Sequence, residues 1–385
     1  MVNLKDLYDT YERWLYINDT KRIDIALAVA LTRKKESGTP VWLIIIGPSG
    51  DWKSLQISCL NDSKHSYLLR SLTKNTITTG YEKAKDLAPE LNAKLLLIPE
   101  MAQILKLDTK ERAQIWAQFR DLYDGIAGRV YGTGKRIDYK DLRVTCIMGS
   151  TPIIDRQLLI HQDLGTRELC WRTSPKDKIK KEKTMHKAWD NENNEKLMYE
   201  ELNNITTEFL RDKKYKSDIY VPEEIKNKIF SYGLFLSKMR ATAEIDQITG
   251  ELLSDCSIEE PTRVIKQFKM LYLGLKSLDD NYTDERALQI IEHVVISSSF
   301  VNRIKVFLAI IENNCQTLSY YANKLRLGKK TVQREINILW NLDLIDCKEE
   351  ESETKNRVKS LIRWHLTMSD ESKEVAVNMR RYMTN

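Results

Sequence analysis

The sequence predicts an α/β fold, a parallel sheet covered by helices on both faces. Two observations point there. Short continuous apolar runs of strand length, at 41–46, 93–98 and 142–149, alternate with longer segments of helical periodicity. The first run passes directly into a glycine-bearing turn and then a helix. Composition supports a folded chain: of 385 residues, 42% are hydrophobic and 30% charged, which excludes a wholly disordered or fibrous protein. That length suits two or three domains.

In order, periodicity predicts a helix over 21–35, a strand over 41–46 and a helix over 53–62. Strands over 74–80 and 93–98, a helix over 109–125 and a strand over 142–149 follow. Residues 129–140 read as a β-hairpin, with alternating strands around Gly132-Thr133-Gly134. After Thr173 the composition shifts. Residues 176–218 mix both charge signs densely, the pattern of a solvated helical segment, with a binding tail as the alternative. Residues 222–245 and 262–278 read as helices, and 371–385 as a short helix or frayed tail.

No apolar run approaches the ~18 residues of a membrane span, and the N-terminus lacks the apolar stretch of a signal peptide. The six cysteines are scattered without a C-x-x-C pair, which argues against a disulfide framework or a zinc site. A cytoplasmic protein with no membrane partner is expected. The net charge of +6 is compatible with nucleic-acid contact but does not specify it.

The strongest local signal is Gly47-Pro48-Ser49-Gly50-Asp51-Trp52-Lys53-Ser54 between a strand and a helix. It matches the phosphate-loop pattern except at the second glycine, where Trp52 stands. Loop N–H groups would face phosphates, Lys53 would reach the β- and γ-phosphates, and the Ser54 hydroxyl would ligate Mg²⁺. ATP and Mg²⁺ are therefore the expected cofactors. Trp52 is strained if its position needs φ > 0. Downstream, the strand at 93–98 runs into Pro99-Glu100. Glu100 is the candidate for water activation and metal binding, with Pro99 where a second acid would be expected. Ser150 and Thr151 follow the strand at 142–149 and would sense the γ-phosphate or cap the next helix. Arg167, with Arg172 as its neighbour candidate, would complete a neighbouring subunit's site. Arg263, at a helix start, would touch the γ-phosphate in its own subunit.

Residues 301–367 carry a separate signal. Three helical segments, at 301–314, 317–327 and 329–342, precede two strands around a charged turn, which is the winged-helix plan. Lys329, Lys330, Gln333 and Arg334 open the third helix, and Arg326, Lys355, Arg357 and Lys359 would contact phosphate. Val332, Ile336, Leu339 and Trp340 would face the core. Residues 300–385 hold 15 Lys and Arg against 11 Asp and Glu, a mild excess compatible with either DNA or a protein partner. On the hairpin, Lys135 and Arg136 sit at the tip, placed to grip a phosphate backbone.

The order of these parts resembles the MCM-like AAA+ ATPases and the helicase-like ATPases of phages, plasmids and integrated elements. The resemblance covers 13–280. It rests on the 47–54 loop, Leu122-Tyr123-Asp124-Gly125, Gly132-Thr133-Gly134-Lys135, Ser150-Thr151-Pro152 and Gly165-Thr166-Arg167. It implies an AAA+ core; the domains expected are that core over 1–173, a charged helical segment and lid over 174–295, and the winged-helix domain over 296–385. It also implies a hexameric homo-oligomeric ring, ATP hydrolysis between subunits and movement on DNA, with the winged helix engaging DNA or a replication partner. Pro99, and the lack of Asn at 150–151, depart from the pattern. A non-motor, nucleotide-gated DNA-binding protein is the competing expectation.

Overall fold

The computed structural model describes residues 2–35, 38–79, 81, 84–132, 134–160, 165–173, 178–246, 251–354 and 357–366. Helix α1 (Leu4–Trp14) is closed at its start by a capping box. The Asn3 side chain accepts the Asp6 N–H at 2.8 Å, and the Asp6 carboxylate accepts the Asn3 N–H at 3.2 Å. Helix α2 (Lys21–Thr32) is buried along almost its whole length, as its apolar composition requires. Strand β1 (Trp42–Ile46) leads through the 47–54 loop into α3 (Lys53–Cys59). Then come β2 (Ser66–Leu68), α4 (Ala88–Leu91), β3 (Leu95–Ile98) and α5 (Ala102–Leu105). Helix α6 (Thr109–Tyr123) starts at Asp108, whose carboxylate accepts the Lys110 and Glu111 N–H groups.

Strands β4 (Ala127–Val130) and β5 (Arg136–Tyr139) pair antiparallel as the expected hairpin. Strand β6 (Thr145–Ser150), α7 (Asp155–Ile160), β7 (Glu168–Arg172), α8 (Lys178–Asp190) and α9 (Glu195–Asp212) follow. Five strands form one parallel sheet in the order β2-β3-β6-β1-β7, flanked by helices. This is the predicted α/β architecture. Trp42 sits at its centre. Its indole N–H donates to the Val144 carbonyl at 2.7 Å, and its ring meets Phe119 and Tyr123 of α6 edge-on. Gly149 of β6 is required by a close approach: a Cβ there would collide with the Pro99 carbonyl and meet Ile57 Cδ1 at 3.0 Å.

The expected strand at 74–80 is not formed. The second strand is β2, only three residues long and too short to leave a periodic signature. The described part of 74–80 is instead turn that packs on the hairpin. Arg129 donates to the Lys74 carbonyl at 3.1 Å, and Tyr131 to the Thr78 hydroxyl at 2.9 Å. The charged 176–218 stretch is half as expected. Helix α8 is mostly exposed, but α9 buries Leu202, Thr206 and Phe209. The 371–385 segment lies outside the described residues.

The remaining elements are α10 (Glu223–Met239), α11 (Thr262–Lys276), α12 (Asp284–Ser298), α13 (Val301–Glu312), β8 (Gln316–Thr317), α14 (Leu318–Leu325), α15 (Lys329–Asn341), β9 (Ile345–Thr354) and β10 (Arg357–Leu366). The chain forms two compact units. One comprises Met1–Gln157, Arg167–Tyr220 and Lys266–Val294; the other comprises Leu158–Thr166, Val221–Ile265 and Val295–Asn385. The expected segment 174–295 is thus shared between units, because helices group by apolar faces rather than by consecutive composition.

In the first unit, the fully buried Asp24 carboxylate accepts Tyr282 at 2.6 Å, Arg286 at 2.7 Å and the Tyr8 hydroxyl, tying α1 and α2 to α12. In the second, α13, α14 and α15 pack together beside the antiparallel sheet β8-β10-β9. Val332, Ile336 and Leu339 are buried, as expected. Trp340 is not: it is 50% exposed and leans edge-on against Trp364. It sits 100° round the helix from Leu339, at the margin of the buried stripe. Arg303 and Glu335, both fully enclosed, pair at 3.2 Å.

Among the described residues, no single helix is long and apolar enough to cross a membrane.

Candidate functional site

The 47–54 loop lies at the carboxyl end of β1, the edge of an open α/β sheet where ligands bind. Its neighbours are set by register. Ile46 is paired with Ser150 on β6 and Arg172 on β7, and the Gly47 N–H donates to the Ser150 carbonyl at 3.0 Å. One strand further, the Met101 N–H donates to the Gly149 carbonyl at 2.8 Å, which anchors the turn carrying Pro99 and Glu100. The Ser54 hydroxyl donates to the Pro99 carbonyl at 3.2 Å. Ser54, Glu100 and Ser150 therefore gather at the ends of three adjacent strands. Glu100 itself is exposed.

Trp52 has φ 20°, so the second-glycine position does adopt positive φ. Such a conformation costs on the order of 1–3 kcal/mol. A clamp from α2 holds it. The Arg22 guanidinium stacks 3.3 Å from the Trp52 ring centroid and pairs with Asp51 at 2.9 Å, with both ionic side chains buried. The Tyr11 ring of α1 lies 6.5 Å from the Trp52 ring, tilted against it. Nothing in the composition of α2 marks Arg22, because the pairing depends on tertiary packing. Gly47 has no room for a Cβ, which would strike Asp51 and Thr173. Pro48, Ser49 and Gly50 are exposed, and Gly50 has φ +77°.

Lys53 folds across the loop and donates to the Pro48 carbonyl at 2.8 Å. Burial lowers its ammonium pKa, opposed by the Asp51 and Glu100 carboxylates, and Arg22 lowers it further. Two buried polar atoms at the loop, Thr173 Oγ1 and Arg22 Nε, have no hydrogen-bond partner among the described residues. Thr173 follows β7 and was not legible as a site residue. The Ser150 hydroxyl donates to the Thr151 carbonyl at 3.1 Å, and Thr151 makes no side-chain cap on the 3₁₀ turn Pro152–Ile154.

The arginines divide by position. Arg172 lies beside the loop in a bidentate pair with Asp155, at 2.6 and 3.1 Å. Arg167 precedes β7 at the opposite, amino edge of the sheet, where Glu168 is level with Trp42. A five-residue strand puts it about 16 Å from the loop. There it makes a bidentate pair with Asp124, at 2.5 and 3.1 Å, and its carbonyl accepts Gln267 at 2.6 Å. Arg263 is on the second unit. It pairs with Glu259 at 3.0 Å and donates to the Thr166 carbonyl at 3.2 Å. Its described partners are therefore Glu259 and the Gly165-Thr166 turn, all within the second unit.

The Arg172 carbonyl also receives His293 Nε2 at 2.7 Å, with the imidazole stacked 3.9 Å from Trp171. Burial pulls the His293 pKa down to about 4. The unfolded chain protonates this group near pH 6.5 and the folded one does not. Its contribution is therefore complete above pH 6.5 and lost as pH falls towards 4, by about 3 kcal/mol. Urea midpoints at pH 7 and 4.5 check this: His293→Gln should show a smaller acid-induced loss than the unsubstituted chain. An equal loss would mean the imidazole titrates normally.

At the hairpin, Lys135 donates to the Thr79 carbonyl at 3.0 Å and the Tyr81 carbonyl at 3.2 Å, while Arg136 is exposed. On the second unit, Arg326, Lys329 and Lys330 are exposed around the α14–α15 turn. Arg334 instead pairs with Glu335 at 2.8 Å, and Gln333 donates to Asn337 at 2.7 Å. Arg357 opens β10 opposite Thr354. Lys355 lies outside the described residues.

Among the described residues, no group of three or more His, Cys, Asp or Glu side chains is placed to hold a metal. A Mg²⁺ ion needs less than that, since it keeps several waters and takes one or two carboxylates plus phosphate. The Ser54 hydroxyl, the Pro99 carbonyl and the Glu100 carboxylate are all oxygen donors and fit such an ion. Comparison with protein-family models gives no match, and comparison with curated proteins gives none either.

Proposed function

We propose that this protein is an ATP-driven motor of the AAA+ type that acts on DNA as a homo-oligomeric, hexameric ring. It would be a replicative-type helicase of a virus, plasmid or integrated element. The observation that carries the reading is the gathering of the 47–54 loop, Ser150 and Glu100 at the ends of adjacent parallel strands, with Ser54 bonded to the Glu100 turn. Lys53 leaves the Pro48 carbonyl for the β- and γ-phosphates, and the unpartnered Thr173 hydroxyl is a further donor beside Gly47. Ser54 and Glu100 would hold Mg²⁺, whose charge would offset that of the phosphates. Glu100 orients and deprotonates the attacking water, and Ser150 and Thr151 stand where the γ-phosphate would be sensed. The amino-edge position of Arg167 favours action on a neighbour's nucleotide. Arg136 with Lys135, and the Arg326–Lys329–Lys330 turn of a winged-helix unit, supply the DNA contacts.

The second reading, a nucleotide-gated DNA-binding protein without turnover, is favoured by one observation. At the end of β3, Pro99 offers only a backbone carbonyl where a second carboxylate would hold the metal shell. Steady-state ATP hydrolysis with and without single-stranded DNA separates the two. A motor shows hydrolysis that rises with DNA and falls at least a hundredfold in Lys53→Ala. Binding of a fluorescent ATP analogue without hydrolysis above that variant would reject the motor reading and favour the second.

A further inference from the structure

At the amino edge of the parallel sheet, three cationic side chains from three chain segments come together without an acidic partner. Arg143 precedes β6, Lys35 follows α2, and Lys269 lies on α11, all within the first unit. The Thr32 carbonyl joins the first two, accepting Arg143 Nη2 and the Lys35 backbone N–H, both at 3.2 Å. The Met270 sulfur, one residue beyond Lys269, accepts the Lys35 ammonium at 3.6 Å and the Tyr215 hydroxyl at 3.2 Å. Burial lowers the Lys35 pKa, and Lys269 and then Arg143 lower it further, so both other charges lie close to that ammonium. Among the described residues, no carboxylate forms an ion pair with any of the three.

We propose that Arg143, Lys35 and Lys269 form a binding site for a phosphate dianion, free or as the terminal phosphomonoester of a nucleotide. Three features select that ligand. First, Arg143 Nε and Nη1 are buried and have no hydrogen-bond partner among the described residues, and a buried N–H left unsatisfied is costly. An oxyanion beside the guanidinium supplies the missing acceptor, and phosphate suits the donor geometry of arginine. Second, the Lys35 ammonium rests on a thioether sulfur, a weak acceptor, so it turns to an anion at little cost. The adjacent Lys34 is not available in this way. Its ammonium already donates to the Leu210 carbonyl at 2.6 Å and the Arg211 carbonyl at 3.3 Å. Third, three positive charges exceed what a carboxylate or a phosphodiester balances, since each carries a single negative charge. A phosphomonoester carries about −1.5 to −2 at pH 7 and presents three strong acceptor oxygens, one for each cation.

The inference does not depend on nucleotide turnover, because the site and the 47–54 loop lie at opposite edges of the sheet. The test is isothermal titration at low salt with inorganic phosphate and with AMP. It uses the full chain carrying Lys53→Ala, which weakens binding at the loop. Saturable binding is expected. Binding of both ligands assigns the site to phosphate itself, and binding of AMP alone assigns it to a nucleotide. Arg143→Gln should weaken binding at least tenfold. Because Arg143 also holds the Thr32 carbonyl, the surface pair Lys35→Gln with Lys269→Gln is the second variant. It should weaken binding likewise while leaving the melting temperature unchanged. Saturation by neither ligand, or binding unchanged in the lysine pair, would overturn the proposal. So would competition by acetate at the same concentration as phosphate. A 5′-hydroxyl oligothymidylate that competes as well as AMP would also overturn it and assign the cations to a nucleic-acid backbone.

Discussion

If the proposed motor reading holds, replacing Arg167 with alanine is expected to lower ATP turnover by about 10³-fold, the lower end of what trans-acting arginines contribute. Nucleotide affinity, measured with a fluorescent ATP analogue, should change by about twofold or less. The reason is geometric. Arg167 stands at the amino edge of the sheet, the length of β7 away from the loop in its own subunit. Its bidentate pair with Asp124 fixes the guanidinium in a defined place, and burial opposed by that carboxylate leaves it firmly cationic. An action in trans makes a sharper prediction. Arg167→Ala mixed with Lys53→Ala should recover turnover that neither shows alone. In a mixed assembly the lysine variant lends an intact Arg167 to its neighbour's intact loop. Mixed oligomers confirmed by mass photometry, yet without recovery, would mean that Arg167 is a structural ion pair.

The second large effect lies in the other unit and concerns stability. Glu335→Ala is expected to destabilise that unit by about 3–5 kcal/mol, because it leaves the Arg303 guanidinium buried without its counter-charge. Arg303 cannot swing to water. It is enclosed, and its Nη1 also donates to the Met239 and Ala241 carbonyls at the end of α10, at 3.1 and 2.7 Å. Burial already lowers its pKa, with Glu335 as the main opposing influence. At about 2–4 °C per kcal/mol, the melting temperature should fall by about 10 °C. Arg334→Ala is the control. Arg334 also pairs with Glu335 but is 39% exposed, so its loss should cost less than about 1 kcal/mol. Similar small losses in both variants would show that the buried pair contributes no more than a surface one.

Much of the architecture was legible because its signals are local. Strands β1, β3 and β6 are buried on both faces and so read as unbroken apolar runs. The 47–54 loop was legible because a strand, two glycines and Lys-Ser must be consecutive to cradle phosphate. The hairpin was legible because alternation and turn residues are consecutive too. Strand β2 was not, since three residues at a sheet edge carry no period, and the threonine-rich 74–80 stretch offered a stronger false signal. The Arg22 clamp and the Arg167–Asp124 pair were not legible either, because those partners meet only after folding, and Thr173 comes beside Gly47 only through tertiary packing.

The chain by itself therefore determined the α/β class, the phosphate-loop candidate and the basic helix start at Lys329 and Lys330. Each depends on neighbours within a few residues. Only the tertiary structure decided which charges are available to a ligand. It occupied Lys135 with the carbonyls of Thr79 and Tyr81, paired Arg334 with Glu335, turned Gln333 and Trp340 into a groove, and set Arg167 far from its own loop. A charged side chain's role is set by what lies within about 4 Å of it, and those neighbours come from distant parts of the sequence.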